Sequence, residues 1–485
     1  MMMTPAQTHL WTAEEAAAAT AGRPMGDWRA DGVSIDSRTV KSGDLFVAIK
    51  GPKHDGHKFA DDALTAGAAA VMVQPKRAKI AHDAPSLQVA NTLHALEDLG
   101  RAARERTAAR VIAVTGSVGK TGTKEALRFV LEDQGPTTAS EGSLNNQWGV
   151  PLSLARIPVD AAYAVIEIAM NHPGEITPLA KMVRPHVAVI TAVEAVHSAY
   201  FDSIDEIADA KAEIFWGIEE GGTAVLNRDN AQYERLATMA VEADVANVIG
   251  FGAHKDAQVR LLDAHCDADG SDIKAAVHGQ EIAYRLNIGG HHWVMNSLAV
   301  LAAVGAAGGD AKAVAEALAG MRALKGRGRR HSVEIPAGSF VVVDESYNAS
   351  PASMTAAINV LGIIHPDRGG RRIAVLGDML ELGGESDKYH SALVKTLTSN
   401  QIDLVFACGT YMKALWEVLP AAMRGAFAKD SQELLPKVTA AVRPGDVVVV
   451  KGSAGSKTGP IVGALLGLGE SSDAASDERD WAVNG

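Results

Sequence analysis

The sequence of 485 residues contains only two cysteines, Cys266 and Cys408, and neither belongs to a CxxC pair. A disulfide framework and a cysteine-based zinc site are therefore not expected. Positive charge is also short: 46 Lys and Arg against 58 Asp and Glu leave a net charge of −12. That balance argues against a general nucleic-acid binder and against a polybasic membrane anchor, while leaving room for an anionic ligand in a local basic pocket. Long apolar runs are missing. The longest weakly polar stretch, Val294 to Gly309, carries Asn296, Ser297 and several glycines and is too short to span a bilayer. The opening MMMTPAQTHLW has neither the basic flank nor the apolar core of a signal peptide. No internal repeat of fixed period is present. Usage is otherwise ordinary, 47% hydrophobic and 21% charged, which excludes a disordered or fibrous chain. A soluble cytoplasmic protein is expected.

At about 150 residues per domain the length predicts roughly three domains. Residues 1–108 hold short apolar runs, Leu45 to Ile49 and Ala68 to Val73, around a Gly/Lys/His/Asp-rich loop from Lys50 to Lys58. They end in a charged helix, Ala95 to Arg106, that reads as a connector. This is the pattern of a small α/β domain. Residues 109–325 alternate strand-like runs (Val111 to Val114, Tyr163 to Ile168, His186 to Thr191, Thr223 to Asn227) with helical segments. That segment closes on helices at Val294 to Gly305 and around Ala311 to Met321. The alternation predicts a parallel, doubly wound sheet. A Gly/Arg-rich link, Lys325 to Arg330, leads into residues 326–469, where the rhythm repeats at Ser339 to Asp344, Arg372 to Gly377, Leu404 to Gly409 and Asp446 to Lys451. This predicts a Rossmann-like α/β domain whose strands end in Asp, Gly or Lys, where open α/β sheets place ligand groups. The small, polar, acidic tail 470–485 is expected to be disordered.

The sharpest local signal is Thr115-Gly116-Ser117-Val118-Gly119-Lys120-Thr121, after an apolar strand and before a helix. Phosphate oxygens need converging backbone N–H groups, which glycines permit by removing side-chain bulk. The helix N-terminus adds a favourable dipole, Lys120 can neutralise β/γ-phosphate charge, and Thr121 can ligate magnesium. A strict Walker A loop would carry glycine five residues before Gly119, where this chain has Val114. A ligand-free Gly-rich turn is the bland alternative, and the preceding strand and the Lys-Thr pair outweigh it. The segment is read as a nucleotide site, which makes 109–325 a P-loop ATPase domain.

The form TGxxGKT resembles the Mur ligase superfamily, which includes folylpolyglutamate synthase and joins an amine to a carboxylate using ATP. Other segments carry the same resemblance. Glu167 at a strand end would by itself be a solvated residue, but Glu167 to Glu175 looks like the superfamily's magnesium-binding glutamate segment. His197 alone is more often structural than a ligand, and Lys211 alone is usually a solvated charge. The resemblance gives His197 to a second magnesium and makes Lys211, in Lys211-Ala212-Glu213-Ile214, the lysine that several members carbamylate. Asn227, in Asn227-Arg228-Asp229-Asn230, and Asn296, in Gly290 to Asn296, match segments near the nucleotide, with Trp293 where Asn is commoner. Arg327 matches a family Gly-Arg. It is either a solvated hinge residue or a guanidinium placed on the activated carboxylate or phosphate. Asp344 is expected as an ATP contact.

The outer segments point to one branch. Ile35-Asp36-Ser37-Arg38, then Gly43 to Gly51 and Asp55-Gly56-His57, resemble a uridine-nucleotide-binding domain that folylpolyglutamate synthase lacks. Val343 to Pro351, Leu376 to Gly383 and Leu144 to Pro151 resemble the branch that adds a dipeptide. The resemblance implies UDP-N-acetylmuramoyl-tripeptide and D-alanyl-D-alanine as substrates, ATP and Mg2+ as cofactors, and Ser37, Arg38, Asn145, Asn146, Tyr347 and Asn348 as substrate contacts. A superfamily ligase adding a single amino acid is the alternative. A monomer is expected. Ser143 and Ala454 depart from the family pattern, so contacts assigned to an arginine after Lys-Gly-Ser do not transfer.

Overall fold

The computed structural model describes residues 9–195, 200–367 and 369–473. Among the described residues the strands form three main sheets and a two-stranded ribbon. The first sheet orders Arg23–Met25, Ser86–Gln88, Ala70–Val73, Asp44–Val47 and Gly32–Ser34, antiparallel only at its first pair. Asp44–Val47 and Ala70–Val73 are buried along their whole length, which is why they read as continuous apolar runs rather than alternating ones.

The second sheet is parallel from Thr137–Ala139 through Tyr163–Glu167, Arg110–Thr115, Val187–Ile190, Thr223–Asn227 and Asn247–Gly252 to Val259–Cys266. Its two faces are covered separately. Val111 and Ala113 pack with the helices Gly149–Ala155, Ile176–Val183 and Ile204–Ala212. Ile112 and Val114 pack with the phosphate-loop helix Lys120–Glu132 and with His291–Ala306. An antiparallel extension, Val259–Cys266, Ser271–Val277 and Gln280–Leu286, continues this sheet beyond the doubly wound part expected from sequence. Its strand Ser271–Val277 alternates buried and exposed positions, because only one face is covered, and so carries no long apolar run to detect.

The third sheet orders Arg424–Ala428, Leu404–Cys408, Arg372–Gly377, Val447–Lys451, Gly338–Glu345, Arg329–Ile335 and Glu470–Asp473. Two findings correct the sequence reading. The Gly/Arg-rich link is shorter than drawn, since Arg329 already begins a strand antiparallel to Gly338–Glu345. The tail expected to be disordered from 470 begins as a strand, Glu470–Asp473, closing the edge of Arg329–Ile335. A polar segment is a suitable edge strand because one side of it faces water. Residues 474–485 lie outside the described residues.

The helix Thr92–Arg106 is more than a connector. Gly100 lets it approach Gly149–Ala155, since a Cβ there would lie 3.0 Å from the Pro151 carbonyl oxygen. Arg104, buried, donates to the carbonyls of Val183 (2.8 Å) and Arg184 (2.7 Å). Trp11 Nε1 donates to the Ala155 carbonyl at 2.9 Å, and Arg156 Nε to that of Val33 at 2.7 Å. The N-terminal unit is thus docked on the central one through hydrogen-bonded, buried groups.

His186 precedes the strand Val187–Ile190 and accepts the Val111 N–H on Nδ1 at 2.9 Å. Burial, with the charges of Arg110, Arg104 and Arg184, lowers it from an ordinary 6.5 to about 4, Glu219 opposing. The unfolded chain therefore takes up this proton near 6.5 while the folded chain does not, so stability falls as pH drops from 6.5 towards 4. The loss is expected to be roughly 1–2 kcal/mol, discounted because the ring is half-buried. Urea unfolding at pH 7 and 4.5 should show His186→Asn, which keeps an acceptor without titrating, losing less stability than the unaltered chain.

Candidate active site

The strand Arg110–Thr115 delivers the chain to a loop that only glycine can complete. Gly116 (φ +149°) and Gly119 (φ +86°) adopt backbone conformations that side chains disfavour. A Cβ on Gly116 would collide with Thr191 Oγ1, and one on Gly119 would lie 2.8 Å from Asn296 Oδ1. The loop is clamped from behind by the chain after Val187–Ile190. Thr191 Oγ1 donates to the Val118 carbonyl at 2.5 Å, Ser117 N–H to that of Ala192 at 2.8 Å, and Ser117 Oγ to that of Glu194 at 3.1 Å. Asn227 and Asn230 hold the clamp itself, donating to the carbonyls of Thr191 (3.3 Å) and Val193 (2.9 Å). Asn227 therefore sits one layer behind the loop, whereas the Asn296 amide lies directly against it.

Lys120 folds back on its own loop, donating to the carbonyls of Gly116 (2.6 Å) and Ser117 (3.4 Å). Burial pulls its ammonium below the usual lysine range; the Glu167 carboxylate opposes this and the Arg327 charge adds to it. The buried Thr115 Oγ1 has no hydrogen-bond partner among the described residues. A loop with an orphaned hydroxyl, a folded-back lysine and two cradling glycines suits an anion with several acceptor oxygens.

Glu167 ends the strand Tyr163–Glu167, paired with Val114, and is 1% exposed. Thr121 Oγ1 donates to its Oε2 at 2.9 Å and Asn145 Nδ2 to its Oε1 at 2.7 Å, while its N–H is received by Ser140 Oγ at 3.1 Å. Lys124, fully buried and paired with Glu125, donates to the Ser140 carbonyl at 2.6 Å. It thereby ties the phosphate-loop helix to the segment carrying Asn145. The sequence reading missed Ser140 and Lys124, because a buried lysine in a helix has no mark in sequence to separate it from a solvated one.

Lys211, 3% exposed, has no hydrogen-bond partner among the described residues. Burial, with the Lys120 charge nearby, pulls it well below the ordinary lysine range. His197, expected at the second metal position, lies outside the described residues. Among the described residues no group of three or more His, Cys, Asp or Glu gathers as a metal centre.

Arg327 crosses from the C-terminal unit: its Nη2 donates to Thr121 Oγ1 at 3.1 Å and its guanidinium carbon stands 4.0 Å over the Tyr347 ring. It is no solvated hinge residue. Asp344 accepts from Gly326 N–H (2.9 Å) on one oxygen and from the Ser346 hydroxyl (2.6 Å) on the other, so it fixes the link before Arg327. It also lines a cavity of about 570 Å3 with Lys325, Arg329, Ser346 and Gly459. Lys451 Nζ donates to Glu345 (3.1 Å) and to the Asn348 carbonyl (3.0 Å).

The other residues expected as contacts make these contacts within the chain. Asn146 Oδ1 accepts the N–H groups of Trp148 (3.1 Å) and Gly149 (3.0 Å), shaping the turn into Gly149–Ala155. Asn348 Oδ1 accepts from its neighbour Ala349 at 2.9 Å. Ser37 and Arg38 lie in the N-terminal unit, where exposed Arg38 pairs with Asp36 at 2.5 Å. Trp293, whose role was open, is 4% exposed and fills the space over Gly122, where a Cβ would lie 3.0 Å from its ring.

Family models match three stretches: "Mur ligase family, catalytic domain" at 29–106, "Mur ligase middle domain" at 114–304, and "Mur ligase, glutamate ligase domain" at 326–454. The chain is 33% identical over 430 residues to the UDP-N-acetylmuramoyl-tripeptide–D-alanyl-D-alanine ligase of Rickettsia prowazekii, covering 89% of this chain and 94% of that one. It resembles the structure of MurF from Acinetobacter baumannii with a TM-score of 0.80 at 30% identity, covering 94% and 99% of the two chains. For the MurF ligase of Thermotoga maritima in complex with ADP the TM-score is 0.74 at 26% identity, with 90% and 97% covered.

Gly116→Ala is expected to lower ADP affinity by more than about tenfold, because strain and collision both distort the loop. Asn145→Ala, which removes one of the hydrogen bonds on Glu167, is expected to cost roughly 1 kcal/mol of magnesium-dependent ADP binding. Titration calorimetry with and without magnesium checks both.

Proposed function

The chain belongs to the Mur ligase family, and on that premise we propose that it joins D-alanyl-D-alanine to the terminal carboxylate of UDP-N-acetylmuramoyl-tripeptide, driven by ATP. The observation that carries the chemistry is the convergence on Thr121 Oγ1 of Glu167 from the central unit and Arg327 from the C-terminal one, beside Lys120. A carboxylate acylates poorly because its leaving group would be oxide. Attack of a carboxylate oxygen on the γ-phosphorus expels ADP and gives an acyl phosphate. The dipeptide amine then attacks the acyl carbon, a proton leaves the nitrogen, and phosphate departs with the C–O electron pair. The product is UDP-N-acetylmuramoyl-pentapeptide, a peptidoglycan precursor.

The protein's part is positioning and charge neutralisation. Lys120 and the loop N–H groups would hold the phosphates, with Asn296 against the loop and Asp344 in the cavity of the C-terminal unit. Arg327 would meet the charge on the transferred phosphoryl group, and Asn227 would steady the clamp behind the loop. Thr121 Oγ1 and the Glu167 carboxylate are hard oxygen donors 2.9 Å apart, a set that suits Mg2+. When bound, that ion neutralises phosphate charge. Lys211 fits carbamylation: burial and the nearby Lys120 charge hold its amine well below the ordinary lysine range, which favours the unprotonated form whose lone pair would attack CO2, the nitrogen losing a proton as the carbamate forms. His197 is assigned to the same metal region on the family resemblance. Ser37, Arg38 and Asn146 are assigned to the tripeptide nucleotide and Asn348 to the acceptor region on the same ground.

We propose that it acts as a monomer. Among the described residues no helix is long and apolar enough to cross a membrane, and a cytoplasmic site of action accords with the soluble nucleotide substrates.

Phosphate release from ATP and magnesium tests the assignment. Release is expected to need the tripeptide nucleotide and D-alanyl-D-alanine together; release driven by a single amino acid would move the enzyme to a neighbouring step. Lys120→Ala is expected to lower turnover by about 100-fold or more with the fold intact. In 13C-bicarbonate, NMR should show a carbamate resonance that disappears in Lys211→Arg; its absence from the unaltered enzyme would refute the modification.

A further inference from the structure

We propose that Tyr347 is a positioning residue for Arg327, acting through its ring face, and not a contact to the dipeptide through its hydroxyl. The inference rests on the ligase reading and adds to it the element that aims the guanidinium. Arg is a long side chain with many rotamers, and a single hydrogen bond to Thr121 does not fix its approach. The structure supplies a second constraint, with the guanidinium carbon 4.0 Å from the Tyr347 ring centre. A cation over an aromatic face is held by the ring quadrupole, and the planar guanidinium stacks there well.

That stacking is built into the backbone. Tyr347 N–H donates to the Gly326 carbonyl at 3.2 Å, and Gly326 N–H donates to Asp344 Oδ2 at 2.9 Å. Gly326 sits at φ +73°, and a Cβ on it would lie 2.9 Å from Tyr347 Cβ. Glycine is therefore required for the link to pass this close to the tyrosine, which places the next residue, Arg327, over the ring. On the other side Lys451 Nζ holds the Asn348 carbonyl at 3.0 Å. The tyrosine is bracketed on both sides, with its ring face against the guanidinium.

The test separates the ring from the hydroxyl and phosphoryl transfer from acceptor binding. ADP formation is followed in a single turnover with ATP, magnesium and UDP-N-acetylmuramoyl-tripeptide without dipeptide, and the KM for D-alanyl-D-alanine is measured in full turnover. Tyr347→Phe is expected to form ADP at the unaltered rate and to keep the dipeptide KM. Tyr347→Leu is expected to form ADP about tenfold more slowly, the size of a partly desolvated cation–π contact. In an Arg327→Ala background the Leu substitution should add little, since the group it positions is gone. A raised dipeptide KM in Tyr347→Phe, an unaltered rate in Tyr347→Leu, or additive slowing with Arg327→Ala would each overturn the proposal. Should Tyr347→Leu fail to fold, Tyr347→Phe decides through the dipeptide KM. If the unaltered enzyme forms no ADP with the tripeptide nucleotide, the ligase reading falls and the proposal with it.

Discussion

Burying a carboxylate is unfavourable unless its oxygens are hydrogen-bonded and opposite charge is near, and the Glu167 site is organised around meeting that condition. One oxygen is held by Thr121 on the phosphate-loop helix, the other by Asn145 from the loop after Thr137–Ala139. Lys120 and Arg327 supply positive charge. The parallel pairing of Glu167 with Val114 sets the distance between the carboxylate and the loop that begins one residue after the neighbouring strand ends. A shift of one residue in that register would turn Glu167 to the other face of the sheet.

Arg327 extends this arrangement across the domain boundary. The link from residue 325 is short and pinned by Asp344, so movement of the C-terminal unit carries the guanidinium with it. A contact between Arg327 and Thr121 thus couples the orientation of two sheets to the state of the phosphate loop.

Much of this was legible in the sequence, and the reasons differ from residue to residue. The loop from Thr115 to Thr121 was readable because glycine positions and a Lys-Thr pair carry chemistry in their spacing. The continuous apolar strands were readable because both their faces are buried. Arg329–Ile335 was not, since it is mostly polar and only half-buried, nor was the extension from Val259 to Leu286, whose strand Ser271–Val277 alternates buried and exposed positions. Ser140 and Lys124 were hidden because their importance lies in what they touch across the fold. What Asn145 and Asp344 hold within the chain was hidden for the same reason: Asn145 donates to Glu167, and Asp344 secures the link before Arg327. Trp293, a departure from the family pattern, is explained by its partner Gly122, a pairing visible only once helix His291–Ala306 is laid over the phosphate-loop helix.

In the proposed reaction this site transfers a phosphoryl group to a carboxylate and not to water or to the amine. Labelling the terminal carboxylate oxygens of the tripeptide nucleotide with 18O and analysing the inorganic phosphate after one round of ligation tests it directly. An acyl phosphate leaves one labelled oxygen in the phosphate and one in the new amide. Unlabelled phosphate, or label recovered in AMP, would contradict the account.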